Sequence, residues 1–139
     1  KKRITDMELG GGTAGHLGTA WAWYLLSPKW NSIWPEGSKP AAYGTAKLKK
    51  IAILMTDGDY NTDYSSGSSK SKAETLCTNM KTAGIEVYTV GFMVSDDAKE
   101  MLKECATDEP HYYSASNGDA LRMAFRDIAL KISSLRLSK

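Results

Sequence analysis

The sequence predicts an open α/β fold, a parallel sheet flanked by helices, and three observations carry that expectation. Ile51-Ala52-Ile53-Leu54-Met55 is a short, wholly apolar run ending at Thr56-Asp57-Gly58, the pattern of a strand buried on both faces of a parallel sheet. Strand-like runs alternate along the chain with stretches whose apolar residues recur at helical spacing. Each pair of successive runs is separated by about the length of chain that a right-handed crossover through a helix needs.

The predicted order is helix, strand, helix, strand, helix, strand, helix. Over 13–26 the apolar residues Leu17, Ala20, Trp21, Tyr24 and Leu25 fall at helical spacing, and Ser27-Pro28 stops the pattern because proline cannot continue the ladder. The stretch 27–46 holds three of the four prolines, Gly37, Gly44, Trp30 and Trp34, and reads as a long irregular loop. After the first strand, 51–55, comes a polar loop over 59–69. Ser71-Lys72-Ala73-Glu74 has capping-box spacing, and Ala73, Leu76, Cys77, Met80 and Ala83 form one apolar face before Gly84 ends the helix. The second strand is expected over 85–92. Ser95-Asp96-Asp97 supplies a cap and negative charge to a third helix with the stripe Ala98, Met101, Leu102 and Cys105. A shorter strand over 111–115 follows. Asn117 then caps a last helix in which Leu121, Ala124, Phe125, Ile128, Ile132 and Leu135 keep helical spacing.

With 139 residues, 42% of them hydrophobic, the chain is the size of one globular domain, 1–139. Its 18 basic and 16 acidic residues are nearly balanced and the basic ones are scattered, which argues against a nucleic-acid surface. No apolar stretch reaches the roughly 18 residues of a bilayer-spanning helix, and the N-terminus lacks the form of a signal peptide. The chain opens at Lys1-Lys2-Arg3 without Met, so we expect a piece of a longer protein whose membrane anchor lies upstream. The first strand is as apolar as a central strand, yet nothing in this sequence pairs with its other edge. The expectation is an incomplete sheet lacking N-terminal strands, or an edge covered by another chain, including self-association.

In open α/β sheets, sites form outside the carboxyl ends of the strands, where Asp57 falls. Gly10-Gly11-Gly12-Thr13 enters the first helix and places a hydroxyl near its start. A threonine oxygen and a carboxylate are donors that a hard divalent cation such as Mg²⁺ accepts. The plain alternatives are an Asp-Gly turn and a threonine N-cap. Gly10 to Gly15 is also a literal G-x-G-x-x-G, similar to the glycine-rich signature of the tubulin family except that Ala14 replaces a glycine. The dinucleotide reading needs a preceding strand and an acid about 20 residues on; residues 4–9 make a poor strand and that distance lands in the Trp-Pro loop. There is no G-x-S-x-G elbow, and His16 and His111 read as structural. With two cysteines, no Cys-x-x-Cys and two histidines, a zinc site is improbable; Cys77 and Cys105 are a pair or two buried thiols. The loop bearing Trp30 and Trp34 is a candidate contact surface or a cover packed over the helix.

Taken together, Gly-Gly-Thr before a helix, an apolar strand ending in Thr56-Asp57-Gly58 with Asn61-Thr62 close by, and Val87-Tyr88-Thr89-Val90-Gly91-Phe92 are similar to the later half of a von Willebrand factor A (VWA) domain. That family's metal-ion-dependent adhesion site, MIDAS, uses an Asp-x-Ser-x-Ser loop, a threonine from a second loop and an aspartate from the Thr-Asp-Gly loop. Thr13 and Asp57 match the second and third positions; Asp-x-Ser-x-Ser is absent from this sequence. The resemblance therefore implies a partial site for Mg²⁺ or a similar ion, completed by upstream residues.

Further features resemble the TadG-like proteins of tight-adherence (Tad/Flp) pilus systems. They are Leu26-Ser27-Pro28 with Trp34-Pro35, Thr56 to Thr62, Leu76-Cys77, Glu104-Cys105-Ala106 with Tyr112-Tyr113-Ser114-Ala115, and Leu135-Arg136-Leu137-Ser138. The resemblance implies a non-enzymatic adhesion or assembly module of the cell envelope, periplasmic or extracellular, with protein, cell-surface or pilus-assembly partners. In the predicted strand order the helices after the first and second strands are neighbours, which places Cys77 and Cys105 to pair. Closing that loop stabilises by about 3.5 kcal/mol in the chain-entropy model and suits an oxidising compartment.

Overall fold

The computed structural model describes residues 11–134. Three parallel strands, β1 (Lys50–Thr56), β2 (Ile85–Phe92) and β3 (Tyr112–Ala115), lie in the order β1-β2-β3, with Leu54 opposite Thr89 and Val90 opposite Tyr113. The helices are α1 (Gly15–Leu26), α2 (Ser69–Thr82), α3 (Asp96–Cys105) and α4 (Gly118–Ser134). The architecture is the expected α/β one: α1, α2 and α3 cover one face of the sheet and α4 covers the other.

Because side chains alternate across a strand, the sheet feeds two cores. Ala52, Leu54, Ile85 and Val87 meet Cys77, Met80, Met101 and Leu102 on the three-helix side. Tyr88 and Val90 meet Ala124 and Ile128 of α4 on the other. Gly91 permits the close approach of α3, since a Cβ there would stand 2.9 Å from Leu102 Cδ1 and 2.8 Å from Val94 Cγ2. Cys77 and Cys105 are disulfide-bonded, Cα to Cα 5.0 Å, and fully buried, tying α2 to α3. The stripe Ala98, Met101, Leu102 and Cys105 is buried as expected, Ser95 caps α3, and Asn117 accepts from Ala120 N–H at 2.9 Å at the start of α4.

Four sequence expectations need correction. β1 is not covered on both faces: Ile53 and Met55 remain 40% and 46% exposed, because α4 lies over β2 and β3. The helix α1 buries His16 and Thr19 and packs Ala22, Trp23 and Leu26 against the core. Leu17, Trp21 and Leu25, three residues of the expected apolar stripe, face outward. His16 is held by its Nδ1 against Ser69 Oγ at 2.7 Å, a bond worth more to the buried ring than an apolar neighbour would be. The cap of α2 is Ser68, whose hydroxyl accepts from Ser71 N–H, and the helix starts before the capping box read from 71–74. His111 closes a 3₁₀ turn (Glu109–His111) and the third strand begins at Tyr112. Expectations for residues 4–9, Gly10 and 135–138 lie outside the described residues.

The long loop over 27–49 folds back on α1. Tyr24 and Trp30 stack with ring centroids 4.0 Å apart, Trp34 Nε1 donates to Tyr24 O at 3.2 Å, and Trp23 Nε1 donates to Tyr43 Oη at 2.8 Å. Trp30 and Trp34 are half-buried by this packing. Lys50 reaches the carboxyl end of α1 and donates to Leu26 O at 2.8 Å, a cation at the negative pole of the helix.

Candidate functional site

β1 delivers Thr56-Asp57-Gly58 to the carboxyl end of the sheet. There Thr56 Oγ1 accepts from Gly58 N–H at 3.2 Å and donates to Gly58 O at 2.9 Å, folding the chain into a tight polar turn. Tyr60, Asn61 and Thr62 then cross to the start of α1. Thr13 N–H donates to Asn61 Oδ1 at 2.8 Å, and Thr13 O accepts from the N–H groups of Asn61 and Thr62 at 3.1 and 3.2 Å. The Tyr60 ring lies on Gly15, so closely that a Cβ there would be 2.1 Å from it. Burial pushes the Tyr60 hydroxyl above its ordinary value, against a smaller downward pull from Thr19.

The two candidate ligand positions are thus brought onto neighbouring loops. A Cβ on Gly58 would stand 3.6 Å from Thr13 Oγ1, so the hydroxyl abuts the residue that follows Asp57. Thr13 is not the N-cap of α1; that position is Ala14, which offers no side-chain cap. Among the described residues neither the Thr13 hydroxyl nor the exposed Asp57 carboxylate has a hydrogen-bonding partner or counter-charge. Other acids on the loops and helix start at this end are engaged: Asp59 with Ser95, Asp63 with Ser69 N–H, Asp96 with Lys99 and Asp97 with Lys70.

A hydroxyl and a carboxylate have the donor chemistry of a Mg²⁺ or Mn²⁺ site, but such ions take about six oxygens. No group of three His, Cys, Asp or Glu able to hold a metal occurs among the described residues. The donor set fits in kind and is short in number. A groove of about 500 Å³ leads away from it along the outer edge of β1, between Gly18 and Ala22 of α1 and Ile53 to Thr56. A second hollow of about 520 Å³ continues along the same edge past Leu25, Ile51 and Ile132.

The family model for the von Willebrand factor type A domain matches residues 36–127, about two thirds of the chain. The chain belongs to the von Willebrand factor type A family. This match includes Asp57 and the disulfide but begins after Thr13. The collagen alpha-1(XII) chain of Oryctolagus cuniculus is 24% identical over 102 residues, covering 73% of this chain and 15% of that one. The pilus adhesin SpaC from Lactobacillus rhamnosus GG superposes with a TM-score of 0.67 at 16% identity, over 91% of this chain and 20% of that one. At these identities the likeness to the adhesin concerns the fold, and the VWA chain described here spans a fifth or less of both relatives' length.

Sequence reasoning placed Thr13 and Asp57 correctly relative to the strand and helix ends but gave no role to Tyr60 or Asn61. The signal was in the glycines: Gly12 and Gly15, spaced to look like a phosphate loop, are the places where these two side chains dock.

Proposed function

We propose that this chain is the C-terminal portion of a VWA adhesion or assembly module that binds a protein or surface ligand through the carboxyl end of its sheet. The observation that carries the reading is the placement on adjoining loops of two oxygen donors, Thr13 Oγ1 and the Asp57 carboxylate, that have no partner among the described residues, while other polar groups of these loops are largely satisfied. In this reading Thr13 and Asp57 hold a divalent cation whose remaining ligands come from a segment outside the chain and from water. The bound ion would supply positive charge to attract an anionic group of the partner.

The same segment would cover the outer edge of β1. Among the described residues no strand pairs with that edge, which lies between Gly18, Ala22 and Leu25 of α1 and the exposed Ile53 and Met55 of the sheet, and an exposed edge of that kind is normally paired. The finer reading, an envelope protein of the Tad/Flp pilus system anchored upstream, rests on the sequence resemblance. It accords with the disulfide, which suits an oxidising compartment, and with the pilus adhesin among the structural neighbours.

Titration with Mn²⁺, of this chain and of the full-length protein, tests the metal-dependent reading. Saturable binding in the full-length protein and none or far weaker binding in the chain alone is the expected result. Silence in both removes the metal and favours a metal-independent scaffold in pilus biogenesis, the reading that the short donor set would then support.

A further inference from the structure

Gly12 and Gly15, at the start of α1, lie against side chains of the 60–62 segment. A Cβ on Gly12 would stand 2.1 Å from Thr62 Oγ1 and 2.8 Å from Asn61 Oδ1, and one on Gly15 would overlap the Tyr60 ring. Such separations are inside van der Waals contact, so a side chain at either position would displace Tyr60, Asn61 or Thr62 from this loop. The Thr13 N–H, a group that a phosphate loop would aim at its anion, is already spent on Asn61 Oδ1.

We propose that Asn61 is a positioning residue whose side chain clasps the Thr13 main chain over the Gly12–Gly15 cradle, holding the Thr13 hydroxyl beside the Asp57-Gly58 turn before any ion or partner arrives. Thr13 precedes the Ala14 N-cap, so its N–H has no place in the helical ladder and needs an acceptor from elsewhere. Asn61 Oδ1 is that acceptor, and the N–H groups of Asn61 and Thr62 return the contact at Thr13 O. All three bonds join residues 48 or 49 apart in sequence, so they register one loop on the other rather than shaping either alone. With its oxygen so used, Asn61 acts on an ion through Thr13 and not as a ligand. A loop fixed in advance costs less ordering on binding, so the clasp strengthens metal binding. This last consequence rests on the proposed metal site; the clasp itself does not.

The test uses the full-length protein without metal, as wild type, Asn61→Ala and Asn61→Asp. Hydrogen exchange resolved at the Thr13 amide reads the clasp, Mn²⁺ titration followed by electron paramagnetic resonance reads the site, and the thermal midpoint reads the fold. The Thr13 amide should be protected in the wild type, exchange at least tenfold faster in Asn61→Ala, and be protected again in Asn61→Asp, which keeps the accepting oxygen. Mn²⁺ should bind about tenfold more weakly to Asn61→Ala, with the midpoint shifted by no more than a few degrees. Asn61→Asp is read by exchange alone, because its added charge would itself attract Mn²⁺.

Free exchange at Thr13 in the wild type, or undiminished protection in Asn61→Ala, overturns the clasp. Lost protection with unchanged Mn²⁺ affinity overturns the positioning role. If the wild type binds no Mn²⁺ but shows the expected exchange pattern, the metal reading fails and the clasp stands. Should Asn61→Ala unfold, Asn61→Leu, which keeps the side-chain size and removes the accepting oxygen, takes its place: faster exchange at Thr13 supports the clasp and undiminished protection overturns it.

Discussion

Gly15 and Glu86 show how much of the molecule depends on single residues. Gly15 is the floor on which the Tyr60 ring rests, and an added methyl would overlap the ring at 2.1 Å. Gly15→Ala should therefore destabilise the fold by about 1–3 kcal/mol despite alanine's higher helix propensity, measured by chemical denaturation. Glu86, at the amino end of β2 and far from the candidate site, accepts from Lys49 Nζ at 3.1 Å and meets His111 Nε2 at 2.8 Å, while Asp108 holds the other ring nitrogen. Burial raises the Glu86 carboxyl, but the hydrogen bonds and charges of His111 and Lys49 together outweigh it and hold the group below its ordinary value. A carboxylate with a depressed value contributes stability that is present above the unfolded value and is lost as pH falls through the folded one. Glu86→Gln should thus flatten the loss of stability on the acid side of about pH 4.5, where the wild type steepens. Equal acid slopes in the two proteins would contradict this. Neighbouring Tyr88, buried and beside Glu86, is pushed up to about 12 and stays protonated throughout.

Among the elements, α2 and α3 are joined covalently and α1 is joined to α2 by polar contacts, and the two joints differ in kind. Cys77 and Cys105 were readable as partners from the stripes of their helices and the predicted strand order, and the disulfide closes a separation of 28 residues. Replacing both by alanine should cost about 3.5 kcal/mol of stability, seen as a lower denaturation midpoint with little change in secondary structure. The joint between α1 and α2 was not readable. His16 and Thr19 are polar, so periodicity assigned the buried face to Leu17, Trp21 and Leu25, which point outward. Helical spacing shows that a helix has an apolar stripe and says nothing of whether the surface that would cover it is present.

At the scale of the whole molecule, Leu25, the exposed Ile53 and Met55 and the edge of β1, which no strand among the described residues pairs, border two adjoining hollows running from Leu48 to Thr13. An apolar strand edge of this size templates pairing with another chain. On the proposed reading, in which a segment outside these residues covers β1, residues 1–139 produced alone should self-associate at roughly micromolar concentration and a longer protein carrying that segment should not associate through β1; sedimentation velocity distinguishes the two. Monomeric behaviour of residues 1–139 would contradict this.

The alternation of strands and helices, the parallel order, the third helix's stripe and the Asp57 turn were legible in the sequence because they follow from local periodicity, capping and turn chemistry, which need only neighbouring residues. Thr13 and Asp57 could be nominated, but sequence could not show that they adjoin, nor that Asn61 and the Gly12–Gly15 cradle bring them together, since those contacts span 48 residues and depend on two loops meeting. Only the tertiary structure decided which face of α1 is buried and which face of β1 is bare. Both are set by what lies across the interface, and a residue's own pattern carries no record of a neighbour that the chain supplies from far away or does not supply.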